Sequence, residues 1–247
     1  MLALLLAVHA ATGPGPGPVL HYRIVNRSTV DAGPGTTPLV LTMSAFVEIS
    51  VTDSASGQVA NVTVRWSRFD AGVMATSLPP QLLEDATGMT LRGFAVNGRT
   101  ASVAVAAENL QAMQLVSAIQ LLLAGTRSAR DGERWIDSTS ADTAVVTAAS
   151  TTLLVTRWAA NRTAGGKVQF DGTATGTTTL AAGAMQLALQ TSGTSHLAVA
   201  DGQLPLTVTS VASGQGTMSL GAAAVPVKVR TEVSATRFRT AAWAEIP

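Results

Sequence analysis

Leu39-Val40-Leu41-Thr42-Met43-Ser44-Ala45-Phe46-Val47-Glu48-Ile49-Ser50-Val51 is the stretch that decides the fold. Every odd position in it is apolar, and most even positions are polar. Period two over thirteen residues is the pattern of a strand with one buried and one wet face. The polar cluster Asp53 to Gln58 then interrupts as a loop would. The alternation resumes with inverted parity, Ala60, Val62, Val64 and Trp66 against Asn61, Thr63, Arg65 and Ser67. Two long antiparallel strands joined by a short loop account for both halves. Burying the seven odd side chains of the first strand is worth very roughly 10–20 kcal/mol, at about 1.5–3 kcal/mol each. A face of that value needs a cover.

Working outward, the 247 residues suffice for a sizeable core. Charged residues make up 13% and the formal net charge is +1. No basic stripe interleaved with aromatics exists, so nucleic acid is excluded as a partner. Cysteine is absent, which excludes disulfides, thiol nucleophiles, thiolate metal sites and a lipid-modified amino-terminal cysteine. Met1 to Ala11 is an apolar run ending in small residues, and it reads as an export signal lacking the usual basic start. Gly13 to Pro18 reads as a semi-extended Gly/Pro spacer. The mature chain, residues 19–247, reads as a single domain.

Within that domain, Leu20 to Asn26 is predicted as a strand, and Gln81 to Ala86 as a brief helical turn. Leu91 to Val96 and Arg99 to Ala106 flank Asn97-Gly98, a strong hairpin signal. The one sustained helical pattern is Ala107 to Ala124, with Leu110, Met113, Ile119, Leu122 and Leu123 on or near one face and Gly125 placed as its cap. The second half reads as many short strands: 135–138, 145–158, 166–171, 176–181, 185–190, 196–200, 204–210, 217–220, 225–233 and 234–242.

A search for chemistry finds little. His21 and His196 have no metal-ligand spacing, and no G-x-S-x-G elbow is present. Ser213 reads as a turn residue. Glu84 and Asp85, adjacent, read as surface charges of the short helix. Asp131, Glu133 and Asp137, interleaved with Arg127, Arg130 and Arg134, read as a solvated, ion-paired loop. Gly172 to Gly176 lacks the lysine and following helix of a phosphate loop. No enzyme, metal or cofactor is expected.

The stretches Trp135 to Thr139, Thr156-Arg157-Trp158, Asp201 to Leu204 and Val225 to Arg230, with Thr231 and Ser234, carry a resemblance. In layout, residues 20–242 resemble exported bacterial domain-of-unknown-function proteins, similar to half-barrel envelope proteins of the LolA and LprG kind. That resemblance implies a strongly curved antiparallel sheet wrapping a helix, with lipid held between them, in the periplasm or cell envelope of a bacterium. The acylated cysteine common in such carriers is missing, which removes tethering by that route.

The resulting expectation is a mainly β protein: a long, curved antiparallel half-barrel sheet covered by one principal helix near 107–124. It is a non-enzymatic envelope protein holding an apolar or lipid-like small molecule between sheet and helix. Val47, Trp66, Met113, Ile119 and Leu122 are the expected lining. Trp66 is chosen because it shares the apolar parity of its strand. An accessory subunit docking onto a larger membrane or envelope complex is the alternative, since strand edges and an apolar face need covering. An outer-membrane barrel would suit the alternation, but the helix and an aromatic content of 4% argue against it.

Overall fold

The structure is a computed structural model, and it describes residues 17–33, 35–54, 57–72, 84–96, 99–105, 110–145, 148–163, 167–182, 184–200, 204–221 and 223–238. Five strands come first: β1 (Leu20–Asp31), β2 (Leu39–Ser54), β3 (Gly57–Asp70), β4 (Thr90–Val96) and β5 (Arg99–Val105). Helix α1 (Leu110–Ala124) follows. Six more strands complete the chain: β6 (Arg134–Val145), β7 (Ala148–Arg162), β8 (Val168–Ala182), β9 (Met185–Val199), β10 (Thr207–Leu220) and β11 (Ala223–Phe238). The expected export signal and most of the Gly/Pro spacer lie outside the described residues, as do the Asn97-Gly98 turn and residues 107–109 of the expected helix.

The eleven strands form one antiparallel sheet in the order β5-β4-β3-β2-β1-β11-β10-β9-β8-β7-β6. The first and last strands of the chain pair along their length, from His21 opposite Phe238 to Asp31 opposite Lys228. The two ends of the sheet, β5 and β6, are not hydrogen-bonded to each other, so the sheet is open. Helix α1 connects them in sequence.

The long hairpin forms as its alternation requires. Met43, Ala45, Val47 and Ile49 are buried on the inner face, and Thr42, Ser44, Glu48 and Ser50 lie on the other. Ala60, Val62 and Val64 of β3 and Tyr22 and Ile24 of β1 extend the same buried layer. Helix α1 presses Ala112, Leu115, Ala118, Ile119, Leu122 and Leu123 into it.

The sheet curls around this helix. A Cβ on Gly93 of β4 would lie 2.6 Å from Leu123 Cδ1, so one side of the helix sits directly on β4. Gln120 and Leu121, in the same turn, face a cavity walled by Leu154 of β7. Strands β4 and β7 are eight places apart in the sheet order, about 38 Å on a flat sheet at about 4.8 Å per strand. One helical turn cannot reach both unless the sheet bends round it.

Trp66 departs from the expected facing. The register between β2 and β3 shifts at Phe46/Val47, where Val47 pairs with Val64 but Phe46 pairs with Trp66. This bulge adds one residue to β3 and reverses the facing of everything after Arg65. Trp66 therefore joins Phe46 on the outer face, with ring centroids 5.5 Å apart, and Ser67 takes the buried position.

The second half is also corrected. Residues 168–182, 185–199, 207–220 and 223–238 are four continuous strands, where the sequence reading divides each in two. Ser213 lies mid-strand in β10, not in a turn. The divisions fall at glycines and hydroxyl residues, which look like turns but here serve strand curvature and close packing. A Cβ at Gly216 would fall on the carbonyl of Ala188 in the neighbouring strand. At Gly172 it would lie 2.6 Å from the Trp158 ring, which stacks over that backbone.

Candidate functional site: a cavity between helix and sheet

Helix α1 has two working faces. The first, containing Leu115, Ile119, Leu122 and Leu123, is sealed into the core. The second, Ser117, Gln120, Leu121 and Ala124, follows the i, i+3, i+4, i+7 spacing of a single stripe and is turned to the inner face of β6–β11. Small residues on the sheet wall leave room beneath the helix: Ala174 on β8, Gly193 on β9 and Ala212 on β10 oppose it. They leave a cavity of about 180 Å³, with Leu121, Leu154, Trp158 and Val233 as its larger apolar walls.

The helix is fixed from its ends and middle. Asn26 of β1 donates from Nδ2 to the Gln114 backbone carbonyl at 3.0 Å and to its side-chain oxygen at 3.1 Å. Near the amino-terminal end, Ser67 Oγ lies 2.8 Å from Gln111 Oε1 and 2.5 Å from Asp85 Oδ1. Asp85 also accepts from the Thr87 amide and hydroxyl. Burial works to raise the Asp85 carboxyl, but the hydrogen bonds from Ser67 and Thr87 outweigh it and hold the group below its ordinary range. Asp85 is thus a tie between strand β3 and the segment before β4, more than a surface charge. At the other end, Thr126 Oγ1 caps the Leu123 carbonyl at 2.8 Å. Tyr22 of β1 donates from its hydroxyl to the Pro205 carbonyl at 2.6 Å. Burial pushes the Tyr22 phenol well up, against a smaller pull from Arg237.

An aromatic group closes one end of the cavity. Trp135 and Trp158 stack with centroids 6.2 Å apart, and Phe170 meets Trp135 edge-on at 5.2 Å. Arg127 lies over the Trp135 ring at 4.6 Å and is held by Glu133 at 3.0 Å. Backbone and side-chain bonds from Arg130 and Arg127 lower the Glu133 carboxyl. The expected ion-paired loop is present to that extent. Asp137, expected in that loop, instead belongs to β6 and is buried on the inner face, where Oδ2 accepts from Trp135 Nε1 at 3.0 Å.

Of the residues expected to line a ligand site, Val47, Ile119 and Leu122 are fully buried in the main core, on the opposite side of α1 from the cavity. Trp66 is on the outer face, away from it. Met113 belongs to α1, and its side chain lies outside the described residues. The structure brings Val47, Ile119 and Leu122 together as packing, and it does not bring Trp66 to them. The cavity residues were missed because Ala174, Gly193, Ser195, Ser210 and Ala212 are small, and all but Ser210 fall in the gaps between the strands the sequence suggests. Carrying the parity of Phe170, Leu197 and Val208 through the glycines of their strands would have placed them all on one face.

On the outer face, His196 Nδ1 and Asp171 Oδ1 are 2.7 Å apart, with Asn161 and Gln169 donating to the same carboxylate. Burial raises the Asp171 carboxyl and is outweighed by the bonds from Gln169, His196 and Asn161, so the group lies below its ordinary range. Ile136 and Leu153 are 57% and 52% exposed on the same surface, at the β6 end of the sheet.

No protein-family model matches the chain, and no curated protein matches it. Among solved structures, two mutants of the Rh. blastica porin are 9% identical to it over 90% of this chain and 100% of theirs, with TM-scores of 0.25 and 0.26. Likeness at that level carries no argument about fold or function.

Proposed function

We propose that this chain is a non-enzymatic, exported protein of a bacterial envelope, a half-barrel that holds an apolar or lipid-like ligand between α1 and its sheet. The cavity of about 180 Å³ under Leu121 and over Leu154 and Trp158 is the observation that carries the reading. Apolar walls with a few convergent polar groups are what small-molecule sites present. Size limits the guest. A cavity of about 150 Å³ accepts benzene, whereas drug-sized ligands occupy about 300–1,000 Å³. One ring or the end of one short chain fits as the walls stand, and a two-chain lipid requires α1 to move outward.

Native mass spectrometry of protein released gently from an envelope fraction tests the reading, together with uptake of a hydrophobic dye. A bound small apolar adduct and dye uptake competed by it are expected. A clean unliganded mass with no uptake would contradict the proposal.

A second reading has its own support. Ile136, Leu153 and Val155 are exposed near the unpaired end strand β6, and such an edge beside an apolar patch suits a docked protein subunit. A stable partner recovered from membranes at low detergent, lost on Ile136→Lys, would favour it.

A further inference from the structure

The outer face of the sheet carries a second concavity. Arg134, Ala159, Asp171 and His196 form one cross-strand row of β6 to β9, and Ile136, Arg157, Thr173 and Thr194 form the next. The rows lie two residues apart along the strands, about 6.6 Å. Ala159 and Thr173 are short and stand among longer side chains, and Gly172 between the rows has none, because the Trp158 ring occupies the space behind it. Together they bound an open trough of about 600 Å³.

The trough holds two guanidinium groups and one carboxylate. Neither Arg134 nor Arg157 is paired with a carboxylate among the described residues. Asp171 is already bonded by three side chains: Gln169 Nε2 and His196 Nδ1 lie 2.7 Å from its Oδ1, and Asn161 Nδ2 lies 2.9 Å from its Oδ2. An ionised carboxylate only accepts, so Nδ1 of His196 carries a proton and Nε2 is the ring nitrogen left for a ligand.

The geometry points to a phosphate-type oxyanion as the ligand of this trough. Arg134 and Arg157 take its charged oxygens, and Thr173 and Thr194 donate their hydroxyls. His196 Nε2 accepts from a P–OH group or, when the ring is charged, donates to an oxygen. Guanidinium forks match phosphate oxygens two at a time. A carboxylate has two oxygens and is satisfied by one such fork, whereas a phosphate group has three or four and uses donors from several strands. The trough lies on the opposite face of the sheet from the cavity under α1, so this inference goes beyond the proposed function and stands or falls without it.

Titration of the full chain with inorganic phosphate and with acetate, at pH 7 and constant ionic strength, tests it, followed by the ring resonances of His196 and the amides of Thr173 and Thr194. Phosphate is expected to shift them saturably and to bind about tenfold tighter than acetate, as a second charge-assisted contact provides. Arg134→Gln and Arg157→Gln should each weaken phosphate by about fivefold or more, while Arg92→Gln, on distant β4, leaves it unchanged. A free phosphate compound and a lipid headgroup share this chemistry, and co-sedimentation with phosphatidylglycerol vesicles separates them. Phosphate binding without vesicle binding assigns a free compound, and vesicle binding competed by inorganic phosphate assigns a headgroup. No saturable phosphate shift, acetate as tight as phosphate, or equal weakening in Arg92→Gln overturns the site, whatever the vesicles do. Each of these results leaves the cavity reading untouched.

Discussion

Val47 and Glu48 are adjacent in β2 and meet opposite surroundings. Val47 is fully buried against the helix layer, while Glu48 bonds Arg65 at 2.6 Å on the outer face. Val47→Asp places a carboxylate without a counter-charge in that core and is expected to cost about 4 kcal/mol or more, enough to unfold or aggregate the chain. Glu48→Lys loses the partly exposed pair with Arg65 and the 3.8 Å contact with His21, and it should cost far less than Val47→Asp, about 1 kcal/mol. Urea unfolding of the two variants checks the pair. Gly172→Ala drives a methyl group against the Trp158 ring, and a loss of about 1–3 kcal/mol is expected, with a changed near-ultraviolet tryptophan signal. The carboxylates add a pH term. Asp171 and Asp85 lie below their ordinary value of 3.8 when folded. The unfolded chain therefore binds more protons in acid, so their stabilisation is present above that value and is lost as pH falls through the folded pKa. The urea midpoint should drop between pH 5 and pH 3, and Asp171→Asn should flatten that drop.

At the scale of elements, legibility in the sequence followed side-chain contrast. The β2–β3 hairpin was readable because Leu, Met, Val and Ile alternate there with Thr, Ser and Glu, and its buried set is the one observed. The facing of Trp66 was not readable. A bulge is one extra residue whose position depends on the partner strand, and Arg65-Trp66 carries no local mark of it. In the middle of β8–β10 the contrast vanishes, since the inner face there is Gly, Ala, Ser and Thr and the outer face is largely Thr, Ser and Gln. That small-residue inner face is also what leaves room under α1, so the feature that hid the strands makes the cavity. Ala174→Leu tests this link. The larger side chain should occupy the space, leave the fold intact and abolish dye uptake, whereas unchanged uptake would place the dye elsewhere.

For the whole molecule, the sheet order was beyond the sequence. Hairpin neighbours follow from short loops, but the pairing of β1 with β11 joins segments some two hundred residues apart and has no local signature. That pairing puts the two termini of the sheet at its centre and its open ends at β5 and β6, on either side of α1. The helix can then be enclosed by the curl and still border an open seam. A single half-covered sheet with one helix was legible from composition and period, and the location of the vacant space was not.

Amide chemical shifts followed during titration with n-hexanol test the central claim most directly. The account predicts that the largest changes fall on 117–124 of α1, on Asp137 to Thr139, Leu154 to Trp158 and Gly193 to Ser195, and on Ser210 to Ala212. Changes confined to the exposed strip at Ile136, Leu153 and Val155, with those inner positions unmoved, would contradict it.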